Sequence, residues 1–229
     1  MADSRSKILA SIRKSLASER HLPAAPSVAL PPPEPAADCD ALAQQFADEL
    51  RKLSGIFVAE RMDQVPARVA HILRECGAAR VLAWDQACLP VPGLLDHLRR
   101  GGVTLVDANI PSQEPARRQR LAEVETVTAG LTGVDAALAD TGTLALRSGP
   151  GRPRLASLSV QIHLALFTPD QLYASWAAWW AVEPRLADWV SGASNLTLIS
   201  GPSRTADIEM TLTVGVHGPG ELVAILIQA

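Results

Sequence analysis

Apolar positions along this chain recur first at helical and then at strand spacing. Residues Asp3 to Arg20 set Ile8, Leu9, Ile12 and Leu16 on one stripe, with Lys7, Arg13, Lys14 and Arg20 elsewhere around the cylinder. That spacing predicts a short amphipathic helix, either packed on its own domain or frayed in solution, or else docked to a partner subunit. Six prolines between His21 and Pro35 then predict a semi-extended linker. From Asp38 helix and strand alternate: a helix over Cys39–Leu53 with Leu42, Phe46, Leu50 and Leu53 on one face, a strand over Gly55–Ala59, and a helix over Met62–Cys76 ended by Gly77. A strand at Arg80–Trp84, a helix near Gly93–Arg100 and a strand at Val103–Val106 follow. Strands this apolar imply parallel pairing, with helices on both faces.

The second half changes texture. A helix over Pro115–Val124 carries Arg117, Arg118 and Arg120, and short strands are expected at Glu125–Thr128, Thr141–Leu146, Leu155–Leu158 and Ile162–Phe167. They predict a β-rich half or an antiparallel addition to the sheet. Pro169 starts a helix whose Leu172, Tyr173, Trp176, Trp179 and Trp180 form an aromatic stripe, suited to core or interface packing, with base stacking as the alternative. Asn195–Ile199 and Leu222–Ile227 read as buried strands. The expected fold is therefore α/β, a mostly parallel sheet flanked by helices with a more β-rich C-terminal half. Residues 1–37 are expected to form the helix and linker, and residues 38–229 a single domain.

Composition narrows the function classes. At 229 residues, 48% hydrophobic and 20% charged with a net charge of −3, the chain reads as one globular domain with an appendage. This near-neutral balance argues against nonspecific nucleic-acid binding, which needs a basic face. No apolar run approaches the roughly 18 to 20 residues that span a bilayer, and no signal-peptide core opens the chain, so a cytoplasmic location is expected. Cys39, Cys76 and Cys88 form no C-x-x-C pair, which leaves no zinc knuckle or iron–sulfur run, and no cofactor or metal is assigned. All three lysines, Lys7, Lys14 and Lys52, precede residue 53. The stretch beyond Lys52 therefore has neither a Schiff-base lysine nor a P-loop lysine. Arginine, suited to forked recognition of carboxylate or phosphate, carries its positive charge.

Two polar constellations attract attention. The first is Asp140-Thr-Gly-Thr143 with Ser148-Gly-Pro-Gly-Arg-Pro-Arg154, where Asp140, Thr141, Gly142, Thr143 and Arg152 gather around glycine turns. Such a set suits an anionic ligand, although a tight hairpin with solvent-exposed arginines has the same composition. The second is Ser200–Glu221, which runs from one strand to the next, and a site outside the carboxyl ends of the strands is expected there. A short helix from about Thr205 to Leu212 would aim its free amides over Gly201, with Ser203, Arg204 and Thr205 beside it. Asp207 and Glu209 read either as site residues or as helix-start acids, and His217 as an acid or base or as a loop histidine. His163 and His217 lie on separate segments with no metal-ligand spacing.

Ala139-Asp-Thr-Gly-Thr143, Ser148-Gly-Pro-Gly151, Gly201-Pro-Ser-Arg-Thr-Ala-Asp-Ile-Glu209 and Val216-His-Gly-Pro219 closely resemble the LUD domain family of lactate utilisation proteins, from roughly Asp38 to Ile227. The form without iron–sulfur cysteines is similar to the lactate utilisation protein C subfamily. The resemblance implies a fold related to the ribose-5-phosphate isomerase, glucosamine-phosphate deaminase and CoA transferase group. It also implies a part in oxidising L-lactate to pyruvate alongside iron–sulfur partner proteins. The larger family members carry cysteine-rich cluster segments, which this chain lacks. No catalytic residue is assigned. A small anionic ligand is expected at Asp140, Thr141, Gly142, Thr143, Arg152, Gly201, Ser203, Arg204, Thr205, Asp207, Glu209 and His217, and the chain is a candidate homo-oligomer. The alternatives are a noncatalytic assembly subunit or a stand-alone enzyme acting on a phosphorylated or anionic small molecule.

Overall fold

The computed structural model describes residues 2–17, 38–182, 193–206 and 212–228, and the chain divides into two units, Met1–Pro32 and Pro33–Ala229. In the first unit, helix α1 (Ala2–Ala17) leaves Ile8 60%, Leu9 39% and Ile12 48% exposed. The linker expected over His21–Pro35 lies outside the described residues.

The second unit begins with α2 (Cys39–Lys52), β1 (Ile56–Arg61), α3 (Val65–Glu75), β2 (Arg80–Ala83), α4 (Leu94–Arg100), β3 (Thr104–Val106) and α5 (Ala116–Glu125). It continues through β4 (Ala129–Gly133), β5 (Ala136–Leu138), β6 (Thr143–Ser148), α6 (Leu155–Leu158), β7 (Ile162–Phe167), β8 (Leu172–Tyr173) and α7 (Trp176–Val182). The last elements are β9 (Asn195–Ile199), β10 (Arg204–Ala206), β11 (Leu212–Val214) and β12 (Glu221–Gln228).

Six strands form the central sheet in the order β1-β12-β7-β4-β2-β3, and each neighbouring pair is parallel. Every residue from Leu222 to Ile227 is at most 3% exposed, as a parallel strand covered on both faces must be. Helix α2 packs on this sheet through its apolar stripe. The Phe46 ring meets Phe57 of β1 and Phe167 of β7 edge-on, with centroids 5.9 and 5.4 Å apart, a favoured aromatic arrangement. The α/β class read from the sequence, with its mostly parallel helix-flanked sheet, is therefore the observed one.

A second sheet, β8-β5-β6-β9, holds the β-rich texture of the C-terminal half. Ala136, Leu138 and Ala145 on one of its faces pack with buried Trp179, and Tyr173, Trp176, Trp180 and Leu196 close around them. The aromatic stripe thus packs on the core through Trp179, with its other rings half-buried. Its helix begins later than expected, because Pro169–Gln171 is a 3-10 turn and Leu172–Tyr173 a strand before α7 starts at Trp176.

Other expectations are corrected. The strand expected over Glu125–Thr128 lies at Ala129–Gly133. Gly130 belongs inside it because an added Cβ would overlap the Ala156 carbonyl, so a residue that usually weakens strands marks a close helix-to-sheet approach. Leu155–Leu158 is the short helix α6, not a strand. Asn195–Ile199 is a half-buried edge strand, with Leu198 51% exposed, paired antiparallel with β6. Thr205–Leu212 forms no helix where it is described: β10 and β11 are an antiparallel hairpin pairing Arg204 with Val214 and Thr205 with Thr213.

Candidate functional site

A cavity of about 210 Å³ opens between α6, β9 and the loops on either side of the β10–β11 hairpin. His163 and Leu222 line it from the sheet, where they are register partners near the amino ends of β7 and β12. Leu158, Leu198 and Ile199 supply apolar wall, and Arg154, Ser203 and His217 supply polar groups. Backbone hydrogen bonds fix the loops: Ser203 N–H donates to Pro219 O at 2.8 Å, Gly215 N–H to Ser203 O at 2.9 Å, and Gly220 N–H to Gln161 O at 2.8 Å. The wall is therefore tied directly to the entry of β7.

Two features give this cavity its chemistry. Arg154 is exposed and forms no ion pair among the described residues, while its carbonyl accepts from Ser157 N–H and Oγ–H, both at 3.1 Å. Among the described residues no carboxylate claims its charge. His163 is fully buried, with Nε2 2.8 Å from Thr132 Oγ1 and Nδ1 without a hydrogen-bond partner among the described residues. Burial pushes its pKa down to about 3, so the ring is neutral at ordinary pH. An unpaired buried polar atom costs about 1–3 kcal/mol, and such an atom is uncommon in a folded core. An apolar wall with a cation that forms no ion pair among the described residues, and a few fixed polar atoms, suits a small carboxylate with a short apolar tail.

Beside the cavity, the two sequence constellations meet. Thr143 Oγ1 and Ser200 Oγ lie 2.7 Å apart, joining the start of β6 to the end of β9. Gly142 (φ 58°) and Gly201 (φ 79°) press on the end of α2, where an added Cβ would lie 2.5 Å from Leu50 N and 2.7 Å from Leu53 Cβ respectively. Arg204 donates to Leu53 O at 2.5 Å and to Ser54 Oγ at 2.8 Å. Its charge thus sits on the carboxyl end of a helix, where the orphan carbonyls and the dipole favour a cation. Thr141 Oγ1 turns to Asp140 at 3.1 Å.

Arg152 belongs to a third place. Its guanidinium donates to Asp135 at 2.5 Å and lies 5.1 Å from the centroid of the Trp84 ring. Burial works against that charge, but Asp135 and the Cys88 thiol outweigh it and raise its pKa. Asp135 also accepts the Arg147 backbone N–H at 2.6 Å. This node lies where the strand order reverses, since β2 leads outward to β3 and β4 leads back toward β7. Such a switch point is the usual ligand crevice of an open α/β sheet. A crevice of about 300 Å³ lies next to it, lined by Trp84, Asp85, Asp107, Asn109 and the Gly149–Gly151 turn. Anions are disfavoured there. Asp85 and Asp107 line the crevice, Arg99 is bridged to Asp96 at 2.6 Å, and Arg152 is held by Asp135.

The structure thus sorts the expected residues into groups. Gly201, Ser203 and His217 line the 210 Å³ cavity; Asp140, Thr141, Gly142, Thr143 and Arg204 build the neighbouring junction; Thr205 pairs with Thr213 in the hairpin; Arg152 stands in the switch-point node. Asp207 and Glu209 lie outside the described residues. The Ser200–Glu221 stretch does not sit outside the carboxyl ends of the parallel strands, because it leaves the antiparallel β9 and enters β12 at its amino end. Among the described residues no group of three His, Cys, Asp or Glu could hold a metal ion. No helix of the described residues is long and apolar enough to cross a membrane. Sequence reasoning missed His163 as a cavity residue. The available signal was a single imidazole inside the apolar run Ile162–Phe167.

Comparison with known proteins bears on this geometry. The LUD domain family matches residues 43–227. An uncharacterised protein of Neisseria meningitidis is 37% identical over 145 residues, 60% of this chain and 59% of that protein, so the chain spans less than two thirds of that relative. Lactate utilization protein C of Halalkalibacterium halodurans is 29% identical over 82% of this chain and 80% of its own length. The protein of the same name from Deinococcus radiodurans is 29% identical over 99% and 96%. A crystal structure of a DUF162 family protein from Deinococcus radiodurans superposes with a TM-score of 0.61 at 24% identity, covering 84% of this chain and 100% of that one, a likeness of fold. With the family match running from α2 through β12, this chain belongs to the LUD domain family.

Proposed function

We propose that the chain is a cytoplasmic subunit of a lactate utilisation system and binds a small carboxylate in the 210 Å³ cavity. The observation that carries this reading is the meeting of Ser203, His217 and Arg154, which has no ion pair among the described residues, around an apolar wall. The names of its relatives, lactate utilization protein C, are consistent with a ligand of that class. In this reading L-lactate is oxidised to pyruvate by a system in which iron–sulfur partner proteins carry the electrons. This chain, with three cysteines and no C-x-x-C pair, supplies a binding site and a scaffold. The apolar stripe of α1, with Ile8 60% exposed, supports docking to those partners, since a short helix gains stability when its stripe is covered.

The test is reconstitution. Lactate-dependent reduction of an acceptor is measured for the iron–sulfur partners alone, with this chain, and with its Arg154→Gln variant. Activity that needs the chain and falls in the variant supports the proposal. Equal activity without the chain removes it.

A further inference from the structure

We infer that His163 makes the cavity selective for acids bearing an oxygen at C2: Arg154 takes the carboxylate, and the unpartnered Nδ1 meets the α-hydroxyl or α-keto oxygen. The inference rests on the carboxylate reading of the same cavity. Its separate basis is the placement of His163. Register sets His163 of β7 beside Gly130 of β4 and Leu222 of β12, on the face where Ala156 and α6 close over the sheet. The absent side chain at Gly130 keeps that approach close, and His163 and Leu222 both line the cavity. Nε2 is already engaged by Thr132 at 2.8 Å, so Nδ1 is the nitrogen left to serve a ligand.

Thr132 gives the site its range. A hydroxyl both donates and accepts. If Nε2–H donates to Thr132 Oγ1, Nδ1 is an acceptor and takes a hydrogen bond from an α-hydroxyl. If the Thr132 hydroxyl donates to Nε2, Nδ1–H is a donor and serves an α-keto oxygen. The neutral ring can therefore hold either oxidation level of one carbon skeleton without a change of net charge. A plain carboxylic acid of the same size leaves Nδ1 unpaired, and a site built around a hydrogen bond discriminates against the ligand that lacks it.

The experiment is calorimetric titration of the full chain with L-lactate, pyruvate and propionate, which share three carbons and a carboxylate. The wild type should bind lactate and pyruvate about tenfold or more tightly than propionate. That ratio should fall toward one in His163→Leu and shrink in Thr132→Val, which frees the ring from its anchor. The ratio in the wild type keeps the test decisive should a variant fail to fold. Propionate binding as tightly as lactate overturns the inference but leaves the carboxylate reading standing. Absence of binding by all three acids overturns both.

Discussion

The Arg204 guanidinium donates to the backbone carbonyl of Leu53 at 2.5 Å, bridging the start of β10 to the carboxyl end of α2. The charge complements a helix terminus and ties the wall of the cavity to the helix that packs on β1 and β7. Arg204→Ala is therefore expected to act on stability. The loss should be about 1 kcal/mol for an exposed charged hydrogen bond at a helix end, a fall in Tm of about 2–4 °C for a domain this size. Lactate affinity should stay within about twofold. Thermal unfolding and calorimetry on one sample check both.

Gly142→Ala meets a harsher constraint. The position has φ 58°, and a Cβ there would stand 2.5 Å from Leu50 N, a backbone atom that cannot turn aside. Left-handed strain and overlap together should cost about 2–4 kcal/mol. Equilibrium urea unfolding reads this as a lower midpoint with an unchanged slope.

Much of the fold was legible because periodicity reports burial. Leu42, Phe46 and Leu50 marked the inner face of α2, and the unbroken apolar run of β12 marked a strand covered on both sides. What failed was decided by contacts distant in sequence. Gly130 hides strand β4 from any propensity argument, because its reason is the Ala156 carbonyl. The hairpin of Arg204 and Val214 replaced an expected helix, since strand pairing is invisible to local spacing. At the site, Gly201, Ser203 and His217 were legible as a polar run. His163 was not, because only the fold brings β7 beneath that run.

The buried imidazole makes stability depend on pH. Its folded pKa of about 3 lies below the unfolded value of about 6.5. The unfolded chain thus binds a proton that the native state refuses. Stability from the neutral ring is complete above pH ~6.5 and is lost as pH falls toward 3, by up to about 1.4 kcal/mol per pH unit. Denaturant midpoints measured from pH 7 to pH 4 should therefore slope less steeply in His163→Leu than in the wild type.

Asp135 is 5% exposed at its side chain and pairs with Arg152 at 2.5 Å. Asp135→Asn leaves Arg152 part-buried beside Trp84 without its counter-charge. The expected loss is about 2–4 kcal/mol, toward the cost of breaking a buried pair and discounted for the solvent that reaches Arg152. Thermal unfolding checks the loss, and Trp84 fluorescence should shift as the guanidinium leaves the ring.

The most direct measurement is calorimetric titration of L-lactate into the full chain, the Arg154→Gln variant and, as a control, an Arg99→Gln variant in the other crevice. Saturable one-to-one binding, weakened about tenfold or more in Arg154→Gln and unchanged in Arg99→Gln, is the predicted result. Lactate binding that is absent from the wild type, or that Arg154→Gln leaves intact, contradicts a carboxylate site beneath Ser203 and His217.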